Sequence, residues 1–229
     1  MNRDRWTAVD RYLADLFLPP DPALDAALAE SEAAGLPSIN VTAAQGRFLK
    51  LLAEIQGARS ILEIGTLGAY STIWLARALP AGGRLISLEA DLKHAAVARK
   101  NLARAGLLDV VDVRLGPALE TLPALVAEGL GPFDFIFIDA DKRAYADYFT
   151  WALALSRKGT VMVVDNVIRD GAVADSDTGD ERVKGVQRFN AVAAADPRVS
   201  VTTVQTVGEK GYDGFALVRV IADTTAVSS

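Results

Sequence analysis

Five short apolar runs, each followed by a helical stretch, fill residues 60–194, and this alternation constrains the fold more than any other feature. Ile61-Leu62-Glu63-Ile64-Gly65 reads as a buried strand that stops at a glycine. Runs at 84–88, 110–115, 133–138 and 160–164 follow it, with helical spacing over 70–79, 92–105, 118–128, 143–156 and about 181–194. Successive strands with a helix between them pair in parallel, because parallel neighbours need a crossover. Right-handed crossovers then give an α/β, doubly wound, mostly parallel sheet. Two further runs, 199–207 and 215–221, have no helix between them, so an antiparallel hairpin is expected at one edge. Ahead of the alternation lie helices over 3–17 and 21–34, broken at Pro19-Pro20. A third opens at Thr42 and Gln45, which fit a capping box, and ends at Gly57. The expectation is one domain, with a helical cap over 1–58, a core over 59–222 and a frayed tail over 223–229.

Composition removes whole classes of chemistry. The 229 residues include no cysteine, so there are no disulfides, thiolate metal sites or cysteine nucleophiles. A single histidine, His94, leaves no His-rich metal site and no Ser-His-Asp triad. It reads as a surface residue. A chain of this length buries roughly 70–75% of its unfolded surface and needs no staple. The net charge of −5 and the lack of a basic stretch argue against a nucleic-acid partner. The first 17 residues mix charges with apolar residues, unlike a secretory signal, and no apolar run nears the ~20 residues that span a bilayer. A cytoplasmic chain with no membrane partner is expected.

In an open doubly wound sheet, ligands bind beyond the carboxyl ends of the strands. Here those ends carry Glu63-Ile-Gly65-Thr-Leu-Gly68, Glu89, Gly116-Pro-Ala118, Asp139-Ala-Asp141-Lys142 and Asp165-Asn166. Gly65 and Gly68 let backbone approach a ligand closely, and the next helix offers its first N–H groups. Glu89, 24 residues after Gly65, stands where an acid accepts the hydroxyls of a ribose. A tight turn plus a solvated glutamate would look the same but would explain less. Glu63 separates the candidate cofactors. A carboxylate there repels the pyrophosphate of NAD but suits the ammonium of S-adenosylmethionine, directly or through water. A salt-bridged core carboxylate is the other reading.

Asp139, Asp165 and Asn166 form an all-oxygen set at neighbouring strand ends, which suits Mg²⁺, Mn²⁺ or Ca²⁺ rather than zinc. Asp165-Asn166 as a simple loop cap would leave Asp139 unexplained. Lys142 follows one turn after Asp139. Near a divalent cation and a sulfonium its ammonium is disfavoured, and a neutral lysine could take a phenolic proton. A solvent-facing lysine is the alternative. Trp74 and Trp151 read as packing residues. Tyr70, Tyr145 and Tyr148 lie near the rim without a clear role.

ILEIGTLGAYSTIWLA, LISLEAD, RLGPALETLP, FDFIFIDADKRAY and GTVMVVDNVIRDGAV together resemble the cation-dependent O-methyltransferases related to the caffeoyl-CoA and catechol enzymes. The resemblance covers about residues 36–221. It implies a seven-stranded sheet whose last strand is antiparallel, with S-adenosylmethionine as the methyl donor. It implies Asp139, Asp165 and Asn166 as ligands of a divalent cation, and Lys142 as a candidate base with Asp139 beside it at the reaction centre. It implies cofactor contacts at Val41, Glu63, Gly65, Ser71, Glu89, Ala118 and Asp139. It further implies a homodimer and a small aromatic acceptor with adjacent hydroxyls. The catechol enzymes' late glutamate has no match around Thr206–Gly208, and segments 36–41 and 167–182, which line acceptor sites in the family, leave the acceptor's identity open. Two rivals remain: an NAD-dependent oxidoreductase, and a non-catalytic dimer that binds S-adenosylmethionine.

Overall fold

The structure is a computed structural model and describes residues 3–223. Its seven strands form one sheet in the order β3-β2-β1-β4-β5-β7-β6. The described residues group into two compact units, divided between Ala118 and Leu119.

In the first unit, α1 (Arg3–Phe17), α2 (Pro22–Ala33) and α3 (Ala43–Gln56) precede β1 (Ser60–Ile64), α4 (Tyr70–Ala76), β2 (Arg84–Glu89), α5 (Leu92–Arg104) and β3 (Val111–Leu115). The starts and stops follow local chemistry. Asp21 caps α2 and Pro22 sits at its first position. Thr42 Oγ1 accepts from Gln45 N at 3.1 Å, and Gly57 ends α3 in the left-handed region, as the sequence predicts. β2 pairs in parallel with both β1 and β3. Buried Asn101 of α5 reaches back through Nδ2 to Gly68 O at 2.9 Å and Ala27 O at 3.3 Å, so one amide ties the first turn to α2. The helix expected over 70–79 stops at Ala76, with Arg77 as its C-cap.

The second unit begins within α6 (Ala118–Ala127). It holds β4 (Phe133–Ile138), a 3₁₀ turn (Lys142–Ala144), α7 (Tyr145–Ala154), β5 (Ser156–Asp165), α8 (Glu181–Ala195), β6 (Val199–Gly208) and β7 (Gly211–Val220). β4 and β5 are parallel, and β7 runs antiparallel to both β5 and β6. The hairpin is therefore real and β6 is the edge. Several boundaries in this unit depart from the sequence reading, and β7 starts at Gly211 rather than 215. The helix expected over 143–156 ends at Ala154, and β5 starts at Ser156 rather than 160. Arg157-Lys158-Gly159 hides that start, because the register shifts between Phe133 and Phe135 and a polar step bulges out of the ladder. Thr160 Oγ1 repairs the gap, donating to Phe133 O at 2.7 Å and accepting from Arg157 N at 3.1 Å. Of the expected tail, residues 224–229 lie outside the described residues. No helix among the described residues is long and apolar enough to cross a membrane.

Asp21 joins two helices of the first unit. Its carboxylate accepts from Ala23 N and Leu24 N at 3.1 and 3.2 Å, and from both terminal nitrogens of the Arg77 guanidinium at the end of α4. That guanidinium, helped by the two amides and opposed by burial, holds the carboxyl below its usual range. A lowered native pKa means the stabilisation is complete above the unfolded value of about 3.9 and is lost as the pH falls through the native one. Asp21→Ala should cost about 0.5–2 kcal/mol in urea unfolding at neutral pH, the usual range for a lost N-cap. The gap from the parent should shrink as the pH drops through the carboxylate range. A gap that stays constant in acid would mean the carboxylate is not the source.

Candidate active site

In the first unit the β1 end turns through Gly65 (φ 102°), Thr66, Leu67 (φ 50°), Gly68 and Ala69 (φ 66°). Two non-glycine residues in the left-handed region carry strain of order 1 kcal/mol or more each, which the surroundings must hold. Glu89 holds it. Its Oε2 accepts from Leu67 N at 2.7 Å and Thr66 N at 3.3 Å, and its Oε1 accepts from Asp91 N at 2.9 Å. Glu89 is 9% exposed. The acid expected to meet a ribose is thus also the brace of the glycine turn. A carboxylate has about four acceptor positions, so capacity for a ribose hydroxyl remains. His94, read as a surface residue, is partly exposed and brings Nδ1 to 3.6 Å from Glu89 Oε1.

Glu63 is fully buried. It accepts from Ser71 Oγ at 2.6 Å, Thr72 Oγ1 at 2.5 Å and Ser87 Oγ at 2.6 Å. Direct contact with an ammonium is closed to it in this conformation. Whatever it offers a ligand passes through the half-buried Ser71 hydroxyl, which points its proton at Glu63 and its lone pairs elsewhere. A Cβ on Gly68 would lie 2.0 Å from Ser31 Oγ of α2, so this glycine also gives α2 room to pack. Val41 is buried just ahead of α3, its carbonyl accepting from Asn40 Nδ2 at 2.9 Å. Ala118 is the first residue of α6, half-buried.

In the second unit Ile138 pairs with Val164, so Asp139 and Asp165 leave adjacent parallel strands side by side, at a strand spacing of about 4.8 Å. Asp165 is buried. Its Oδ1 accepts from Asn166 N at 2.9 Å, and its carbonyl accepts from the Tyr145 hydroxyl at 2.9 Å. Tyr145 is fully buried, and burial first, then the fields of Asp139 and Asp165, push its hydroxyl well above the usual phenol range. It is a strut for the rim, a role its place in the sequence does not announce. Asn166 sits at φ 56°, a region that asparagine tolerates better than most residues. Lys142 Nζ lies 2.6 Å from Asp139 Oδ1 and 5.4 Å from the Tyr145 ring centroid. Its turn is pressed against α8, where a Cβ on Gly185 would lie 2.2 Å from Lys142 O.

The loop after Asn166 continues through Arg169 and Asp170, both at φ 56°. Asp213 of β7 fastens it. One oxygen, Oδ1, accepts from Ile168 N and Arg169 N at 3.0 Å each, and Val167 N donates to Gly214 O at 3.0 Å. None of Tyr145, Gly185, Arg169 and Asp213 stands out in the sequence as part of a site. The donor set at this rim is two carboxylates and an amide. Among the described residues no three His, Cys, Asp or Glu side chains gather, so a third side-chain ligand beside Asp139 and Asp165 would have to be of another type, as Asn166 is. Hard oxygen donors on adjacent strand ends fit a small divalent cation.

Comparison with known proteins identifies the family. The O-methyltransferase family matches residues 23–221. A catechol O-methyltransferase of Niastella koreensis is 55% identical over 96% of this chain and all of its own length. One from Mycobacterium tuberculosis is 53% identical over 93% of this chain and 94% of its own. The crystal structure of an O-methyltransferase from Bacillus cereus in complex with SAH is 56% identical and superposes with a TM-score of 0.94, covering 95% of this chain and 99% of that one. The chain belongs to the O-methyltransferase family.

Proposed function

We propose that this methyltransferase moves the methyl group of S-adenosylmethionine to one oxygen of an aromatic ring bearing two adjacent hydroxyls, with a divalent cation held by Asp139, Asp165 and Asn166. The observation that carries the reading is the pairing of Ile138 with Val164, which sets two carboxylates and an amide at adjacent strand ends. The SAH of the Bacillus cereus structure, the demethylated product of that donor, and the names of the two catechol relatives support it.

Glu89 accepts ribose hydroxyls while bracing the turn that carries them. Ser71, oriented by Glu63, faces the charged methionine tail, and Val41, Gly65, Ala118 and Asp139 line the remainder. A cation on the second rim supplies Lewis acidity to the acceptor's oxygens. Lys142, once it has left Asp139 and given its own ammonium proton to solvent, takes the phenolic proton as the neutral amine. In-line alignment of oxygen, methyl carbon and sulfur is worth up to ~7–11 kcal/mol, so positioning is most of the work. The enzyme acts in the cytoplasm on small molecules, with neither nucleic acid nor membrane as partner, and as a homodimer. Edge strand β6 leaves Val201, Val204 and Val207 exposed, a surface that a second copy would cover. Sedimentation at the mass of one chain would remove that part of the reading.

Three results are expected. Glu89→Ala should weaken SAH binding in calorimetry, since each charge-assisted hydrogen bond is worth roughly 1.5–3 kcal/mol. Unchanged affinity would defeat the ribose assignment, and stabilisation of the parent by NAD but not by SAH would favour a dehydrogenase. Excess chelator should abolish turnover and Mg²⁺ restore it, while Asp165→Ala keeps SAH affinity. Full activity under chelation would remove the metal. With labelled S-adenosylmethionine, catechol should react much faster than phenol, because one hydroxyl cannot be gripped twice and each ~1.4 kcal/mol lost is tenfold in rate. Equal kcat/KM for the two would end the adjacent-diol reading.

A further inference from the structure

The loop that follows the proposed metal ligands carries a guanidinium whose hydrogen-bonding capacity is not filled. Arg169 is three residues past Asn166, and its Nε is buried without a hydrogen-bond partner. Its nearest anion is Asp213, at 3.8 Å from Nη1 to Oδ2, beyond hydrogen-bond range. The other oxygen of Asp213 is committed to the backbone N–H groups of Ile168, Arg169 and Gly214, each at 3.0 Å. Asp213 thus orients the guanidinium electrostatically and leaves the buried Nε without an acceptor. A guanidinium has five N–H donors in a planar fork. A buried N–H without a partner costs free energy, which an acceptor atom brought by a ligand would recover. Arg169 itself is at φ 56°, an uncommon backbone state for arginine, held there by Asp213.

A second cation of the same unit lies nearby in the chain fold. Lys210 is in the β6–β7 turn, and that hairpin is fastened to the Arg169 loop through Asp213 and through Tyr212, whose ring would lie 3.5 Å from a Cβ on Gly171. Burial lowers the Lys210 pKa, while Glu209 and then Asp139 and Asp165 act to raise it, so Lys210 stands within the field of both acids of the rim.

We propose that Arg169, assisted by Lys210, is a carboxylate-binding subsite, and that the preferred acceptor is an adjacent diol on a ring that also bears a carboxylate. The inference rests on the adjacent-diol reading for where the ring sits. A planar carboxylate matches the guanidinium fork in two parallel hydrogen bonds, which a neutral or cationic substituent cannot make. The subsite therefore sets which diols enter with the reactive end toward Asp139 and Asp165, and it discriminates against aminoalkyl catechols by like charge.

The test compares protocatechuate, catechol and dopamine as acceptors for the parent enzyme and for Arg169→Met, Arg169→Lys and Lys210→Met. In the parent, kcat/KM for protocatechuate should exceed that for dopamine at least tenfold. Arg169→Met should collapse that ratio by a factor of ten or more, Lys210→Met by a smaller factor, and Arg169→Lys should restore part of it. Calorimetry of protocatechuate with the SAH-bound protein gives a second readout without turnover, and Arg169→Met should weaken it by a similar factor. Equal use of protocatechuate and dopamine by the parent would overturn the subsite, as would variants that lose all acceptors in proportion. Failure to methylate any of the three, with protocatechuate still binding through Arg169, would instead count against the adjacent-diol reaction and leave the anion subsite standing.

Discussion

A carboxylate buried under three hydroxyls anchors the first half of this molecule. Glu63 has no exposure, and an ion so placed is tolerable only when its oxygens are met. Ser71 and Thr72 come from α4 and Ser87 from β2, so one side chain of β1 fixes both the next strand and the next helix. Thr66 joins the same network through Ser87 at 2.6 Å. The turn between β1 and α4 is thereby determined from below by Glu63 and from the side by Glu89. Such a turn can hold Leu67 and Ala69 in left-handed conformations that neither residue would choose.

The second unit solves a similar problem with different parts. Asn166, Arg169 and Asp170 have positive φ within five residues, and the loop they form would not keep that shape alone. Asp213 and Gly214 of the antiparallel strand β7 supply the restraint through backbone hydrogen bonds. The reversal of β7 has a functional consequence. An antiparallel strand enters the sheet at the end where its parallel neighbours leave it, so its first residues reach the rim that Asp165 occupies. Here Asp165 pairs with Phe215, two residues beyond Asp213.

The sheet was legible because its strands are apolar runs punctuated by glycine and acid, and because helices between strands force parallel pairing. The start of β5 was not legible, since Arg157 and Lys158 are exposed at a bulge and carry no apolar signal. The acids were legible as positions at strand ends, but their employment was not. Glu63 reads from sequence as a partner of a ligand's ammonium, directly or through water, or as a core carboxylate; the three hydroxyls from Ser71 to Ser87 that surround it converge only after folding. Gly68 reads as room for a ligand, and the room it gives Ser31 could not be read from the sequence. Tyr145 and Asp213 act through backbone groups, which leave no trace in a pattern of side-chain types.

The kind of donor that meets each carboxylate then separates scaffold from chemistry. Glu89 is met by backbone amides, which cannot withdraw without unfolding the turn, so it can add a hydroxyl ligand but cannot exchange what it has. Asp139 is met by the end of a lysine side chain, a largely buried contact that a change of rotamer can break while the backbone stays in place. An exchangeable partner is what a metal ligand and a proton acceptor both require. Gly185 packs against the backbone of Lys142, so that backbone is held from α8 while Asp139 and the Tyr145 ring hold the side chain. A larger residue there would shift the Lys142 carbonyl itself, because backbone, unlike the far end of a side chain, has no alternative rotamer to adopt. The fold therefore fixes the glycine turn through backbone donors to Glu89, and leaves the Asp139–Lys142 pair as a contact between side chains alone.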